Sequence, residues 1–487
     1  MLLAIENARV MGSYERSCVI VRDDRVLEVG PSSTCEKYRG NARFLDAEGR
    51  VLIPGIVDSH MHLLSYALSM RRLDLRGIRS LEELREAVRS KVRTSKPGEW
   101  IVGHGWDQEA LRDRRYPRAS DLDEVSPENP VILTRVCLHA GVLNSRAMRE
   151  LGIRKDLLFE EELYEAMRRV VRITKGADHL MLKAVMTLLA YGITEVHSMD
   201  ASPEELAILG GLLGRGALPL RVRVYLSEGL DAELNGDLLS VDGIKIYADG
   251  SFGARTAALR EDYEDQPGNR GSLLRSWREI ASLAASLRSR GKRLAVHAIG
   301  DRALEEVVKA LESGATNLRI EHASLTPPDL MERLSTARPE MVAVQPHFAV
   351  TDWWLTSRLG NRVKHAYRFR EMVERGLRVS GSSDSPVEPA NPWMSIEAAV
   401  TGGELGIDPM SLEQALSIYT HDLAPGARAD LILLDQNPWG LNRFDLSGVR
   451  SSLTLIGGLV VYDQDGASGR CGWPEHPFSK LISTWWS

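Results

Sequence analysis

The chain has 487 residues, enough for about two to four domains, and its 43% apolar and 26% charged composition is that of an ordinary globular protein. A formal net charge of −6 leaves no basic footprint for nucleic acid, and no apolar run approaches the length that spans a bilayer. Cys18, Cys35, Cys137 and Cys471 are scattered without a CxxC pair, which argues against a disulfide framework or a cysteine zinc site and for a reducing cytoplasm. Of the 61 basic residues 11 are lysine, and the arginine excess fits ion pairing at high temperature or coding bias equally. The opening MLLAIENARV reaches Glu6 without a basic leader and does not read as a signal peptide.

In chain order, residues 1–50 hold short β-prone runs, LLAIENARV, SCVIVRDDRVLEVG and ARFLDAEG, separated by turn residues. The same texture returns in ADLILLDQNP and SLTLIGGLVVYDQDG. One small β-sandwich built from both termini, residues 1–52 with 424–470, accounts for both. Next comes VLIPGIVDSHMH, a buried-strand pattern ending on His60 and His62. Residues 67–160 then combine helices with the strand-like runs EWIVGHGW and NPVILTRV, and read as an inserted subdomain over a barrel mouth. Seven further strands follow: GITEVHSM, LPLRVRVYL, GIKIYADG, RLAVHAIG, LRIEHAS, MVAVQPHF and LRVSGSSD. Helical segments such as SWREIASLAASLRSRG and DRALEEVVKALESG lie between several of them. Strands alternating with helices indicate parallel βαβ units, and eight strands close a (β/α)8 barrel, here over residues 53–423. The fold class is therefore α/β.

Active sites of such barrels lie at the carboxyl ends of the strands. The first strand ends on His60 and His62, and the fourth carries Lys245. The fifth ends near His297, the sixth near His322, and the eighth reaches Asp384. Taken singly, each histidine reads more readily as a hydrogen-bonded core residue, and Asp384 as a turn or cap residue. A lysine inside GIKIYADG is harder to explain, because an unpaired buried ammonium is costly. Chance convergence of six such groups from five strands is harder still. Imidazole and carboxylate suit zinc and similar divalent ions. A second metal about 3.5–4 Å away needs a bridging anion. Lysine supplies one only as the carbamate formed with carbon dioxide.

These motifs resemble the amidohydrolase superfamily, in the branch of N-substituted formamide deformylases and YtcJ-like metal-dependent hydrolases. The resemblance rests on PGIVDSHMH, KIYADGSFGARTAAL, VHAIGDRAL, IEHAS and GSSDSPVEPANPW. HGWDQ, DLDEVSPENPVIL, LHAGVLNSRAM and PGARADLILLD add to it, so that it covers nearly the whole chain. It implies two divalent metal ions, zinc being the expected one. His60, His62 and Asp384 would hold one metal and His297 and His322 the other, with carboxylated Lys245 between them. It further implies hydrolysis of a C–N bond (amide, N-formyl or cyclic amide) in a small molecule by a metal-activated hydroxide, with Asp384 moving the proton. A mononuclear-metal deaminase on the same fold and a catalytically silent barrel serving as a binding scaffold are the competing readings.

Four more residues are candidates for the substrate. Trp106 in HGWDQ either lines the pocket or anchors the core of the insertion. By family analogy His139 would donate to a substrate carbonyl. Arg255 could pair a substrate carboxylate, or be structural. His347, ending the seventh strand, and His197, ending the second, are expected at the rim as pocket wall or support. Trp485 and Trp486 read as a packing anchor or an oligomer contact. The expected partner is a small molecule, with no nucleic acid or membrane, and self-association is left open.

Overall fold

The computed structural model describes residues 1–11, 13, 15–108, 110–135, 140–173 and 176–464. His139, Cys137, Cys471, Trp485 and Trp486 lie outside them. The chain divides into two compact units: Met1–Tyr66 with the chain from Met181 onward, and Ala67–Leu180.

The first unit contains the expected barrel. Its strands are β1 (Ile56–Met61), β2 (Ile193–Ala201), β3 (Arg221–Ser227), β4 (Leu239–Tyr247), β5 (Arg293–Ala298), β6 (Leu318–His322), β7 (Met341–Val344) and β8 (Val379–Gly381). They pair in parallel in that order. Parallel strands are covered on both faces, which is why β5 and β6 are almost wholly buried. The crossover helices carry ordinary start signals. Ser276 and Glu279 form a capping box ahead of Trp277–Arg288, and Ser202 caps Pro203–Gly214, which has proline in its first turn. β8 returns to β1 through the Asp384 amide, which donates to the His60 carbonyl at 2.7 Å, and the Ser59 hydroxyl, which donates to Gly381 O at 2.9 Å. The barrel thus closes at candidate ligands.

The run VLIPGIVD is not one barrel strand. Val51–Pro54 belongs to the terminal sheet, and only Ile56–Met61 enters the barrel. The break falls at Gly55, where a Cβ would stand 2.1 Å from Thr194 Oγ1. Only glycine lets the chain pass that close to β2.

The terminal sheet draws on both ends of the chain. Its order is Leu459–Asp463, Ser451–Ile456, Leu431–Leu434, Val51–Pro54, Leu2–Val10, Ser17–Arg22 and Arg25–Pro31, with Arg43–Asp46 also beside Leu2–Val10. Leu3, Ile5, Val19, Val21, Leu431 and Leu455 are among the aliphatic residues of its core. The buried guanidinium of Arg221 joins sheet to barrel, its Nε 2.6 Å and Nη2 3.1 Å from the carboxylate of Asp430.

The cysteine reading is corrected. Cys18 and Cys35 form a disulfide with Cα atoms 5.6 Å apart, joining the strand Ser17–Arg22 to the short helix Ser33–Glu36. Their separation of 17 residues matches no sequence signature, and only folding brings them together. Cysteine usage therefore no longer supports a reducing cytoplasm. No helix among the described residues is long and apolar enough to cross a membrane.

The second unit has a five-stranded sheet in the order Leu157–Phe159, Ala140–Leu143, Val131–Arg135, Ile101–Trp106, Leu73–Asp74. Both strand-like runs expected in the insertion are strands of it. The unit extends beyond residue 160, through the helix Glu160–Ile173 into Ala177–Ala190. Trp106 takes an anchoring position: it is wholly buried, donates its indole N–H to Leu133 O at 3.0 Å, and packs edge-on to Tyr116. With Leu84, Val88 and Leu122 it forms the unit's own core.

Candidate metal centre

The six candidate ligands belong to one unit, and the structure brings them to one place. Asp384 Oδ1 stands 3.2 Å from His60 Nε2 and 3.3 Å from His62 Nε2. Lys245 Nζ is 3.4 Å from His60 Nε2. The His322 ring lies 4.9 Å from that of His60 and 4.5 Å from that of His297, centre to centre. Ligand atoms of His60, His322 and Asp384 all fall within 4.8 Å of one another.

The outward nitrogens show that these rings are aimed. His60 Nδ1 is 2.5 Å from Glu321, His62 Nδ1 3.2 Å from Met199 O, and His322 Nδ1 2.8 Å from Gln345 Oε1. Each acceptor takes the Nδ1 proton and leaves Nε2 as a lone-pair donor toward the centre. His297 is reversed: its Nε2 donates to Gly250 O at 2.9 Å, leaving Nδ1 free to ligate. A set of imidazoles, a carboxylate and a lysine able to become an anion fits a divalent-metal site.

Electrostatics agree with that chemistry. Burial pushes the Asp384 carboxyl up, but the close contacts with His60 and His62 overcome this and hold it well below the usual carboxylate range. Burial lowers His322 to about 3 and carries His297 well below its ordinary value, so both are neutral. Burial also lowers Lys245, against the opposing pull of Glu321 and Asp384. His322 and Asp384 have φ of 76° and 56°, in the left-handed region. Non-glycine residues held there at strand ends mark functional sites more often than chance would.

Several supporting residues went unnoticed in the sequence. Glu321, which accepts the hydrogen bond from His60 Nδ1, is gripped by Arg319 at 2.6 and 3.2 Å. Arg319 also donates to Ser59 O at 2.6 Å and to His197 Nδ1 at 2.7 Å. His197 in turn donates through Nε2 to Glu195 at 3.2 Å. His197 is therefore not at the catalytic rim. It stands with Arg319 and Arg293 on a cavity of about 780 Å³ toward the strand starts. Asp58 ties β1 to the segment after β8, accepting from the Ser383 hydroxyl at 2.5 Å and its amide at 3.1 Å. Asp249, raised to about 7 by burial, accepts from the amides of Ala258, Ile299 and Gly300 and so joins the loops after β4 and β5. Charged residues inside apolar strands, as in LRIEHAS, were the available signal.

Of the proposed substrate groups, Arg255 already has an internal carboxylate, Asp265, at 2.8 and 3.2 Å. His347 is buried with Nδ1 against Glu388, whose other oxygen accepts from the Thr351 hydroxyl at 2.7 Å.

A barrel closed on a ring of aimed imidazoles, one carboxylate and one buried lysine defines a metal-dependent hydrolase class. Residues 43–462 match the model of the amidohydrolase family, and the chain belongs to that family. It is similar to the putative amidohydrolase YtcJ of Bacillus subtilis, 28% identical over 88% of this chain and 92% of that one. It is also similar to the N-substituted formamide deformylase of Arthrobacter pascens, 25% identical over 96% and 99%. Among solved structures, an uncharacterized metal-dependent hydrolase from Pyrococcus furiosus superposes with a TM-score of 0.80. It is 34% identical and covers 90% of this chain and all of that one. The protein is a hydrolase of this family.

Proposed function

We propose that the protein hydrolyses a C–N bond in a small amide, N-formyl compound or cyclic amide, using two divalent metals, zinc by preference. His60, His62 and Asp384 would hold one metal and His297 and His322 the other, with Lys245, once carboxylated, as the shared anionic ligand. The observation that carries this reading is the position of Asp384 Oδ1, within 3.3 Å of two imidazole nitrogens whose protons are directed outward. The formamide deformylase relative supports the bond type.

Bound divalent metals bring water's pKa towards neutrality and polarise a carbonyl. Asp384 stays ionised at neutral pH, so it can take a proton from water at the centre and return it to the leaving nitrogen. Glu321 and Gln345 keep His60 and His322 in one tautomer and orientation. Burial favours the uncharged amine of Lys245, the form that adds to carbon dioxide and yields a carbamate and a proton. The close grouping of His60, His322 and Asp384 favours a second reading, one metal held by these three.

The test is release of formate or carboxylate from a panel of N-formyl, N-acyl and cyclic amides. Turnover is expected to vanish on chelation and return with zinc. Turnover that survives complete metal removal would exclude the proposal.

A further inference from the structure

The second unit holds a cavity of about 730 Å³, which the proposed chemistry does not use. Roughly 300–1,000 Å³ accommodates a small organic ligand. Leu68, Trp100, Val102, Met167 and Val170 make much of its wall apolar. Arg71, Arg72, Lys96, Glu99 and Glu150 bring charge to it. Arg71 pairs with Glu99, and Glu150 accepts from Arg146 Nε at 3.0 Å. Two cations are left over. The half-buried Arg72 side chain makes no hydrogen bond or ion pair with any described residue, and neither does the ammonium of the exposed Lys96.

A largely buried guanidinium that no carboxylate among the described residues pairs is costly, and buried charges are ordinarily paired. Burial alone lowers Arg72 to about 10. An occupant that relieves this must bring an anion to the guanidinium and hydrocarbon to the wall. The planar fork of arginine matches a carboxylate bidentately. A phosphate would call for more donors than one guanidinium and a peripheral ammonium. We infer that this cavity is a binding site for an amphipathic monocarboxylate. Its head pairs with Arg72, with Lys96 contributing at the edge, and its aliphatic chain lies along Trp100, Val102 and Met167. The inference concerns the second unit alone and does not rest on the metal chemistry.

Calorimetric titration of the metal-loaded full chain with octanoate tests it, with 1-octanol as the uncharged control. Saturable one-to-one binding of octanoate is expected, with octanol at least about tenfold weaker, since a charged hydrogen-bonded pair contributes roughly 10- to 100-fold. Arg72→Gln should lose that margin for octanoate while leaving octanol unchanged. Met167→Trp, which fills the cavity and spares the guanidinium, should weaken both. No saturable binding, or octanoate binding undiminished in both variants, would overturn the inference.

Discussion

Asp384→Asn is expected to lower turnover by roughly 10²- to 10⁴-fold, the range that a positioned acid–base group contributes, while the protein stays folded. The substitution suits the backbone. Asp384 sits at φ 56°, and asparagine, like aspartate, tolerates the left-handed region, so no new strain enters. The amide keeps the side-chain volume between His60 and His62 and one oxygen able to ligate, and loses the charge and the capacity to take a proton. An alanine there would confound lost chemistry with strain. Steady-state rates on the best amide of the panel, with an unfolding curve for each protein, make the comparison. Unchanged rates would remove Asp384 from the proton path.

Glu321→Gln is expected to have the largest effect on stability. Glu321 and Arg319 are both essentially without solvent exposure, 2.6 Å apart. Three neighbours set the Glu321 charge: burial opposes it, and Arg319, His60 and Lys245 overcome that and hold the carboxyl below its ordinary range. Removing one partner of such a pair leaves an uncompensated buried charge and costs about 3–5 kcal/mol. Metal affinity should fall roughly 10- to 100-fold as well, because the carboxylate that orients His60 is gone. The double variant Glu321→Leu with Arg319→Met separates the two roles. Replacing the pair with apolar groups should restore stability in denaturant titrations but not metal affinity. Recovery of both would reduce the pair to a packing element.

The parts of this molecule that could be read from sequence are those governed by local rules. Each parallel strand buries both faces, so runs such as RLAVHAIG and MVAVQPHF stood out against the amphipathic helices between them. A charged or imidazole side chain at such a strand's end was conspicuous for the same reason. Long-range geometry was not legible. VLIPGIVD reads as one apolar run because nothing local shows Thr194 crowding Gly55. Cys18 and Cys35 carry no spacing signature, because a two-strand turn followed by a short helix is what brings them together. Trp106 offered two roles, and the choice depended on Leu133 O accepting its N–H. Arg319 and Glu321 lay in plain view in LRIEHAS, yet their partners, His197 and His60, come from strands more than 100 residues away.

Counting metal per chain by elemental analysis, after reconstitution with zinc and bicarbonate, tests the proposed centre most directly. A lysine-bridged pair predicts close to two zinc ions per chain in the unmodified protein and a clear loss in Lys245→Ala. A single firmly held zinc, indifferent to Lys245→Ala, would contradict it.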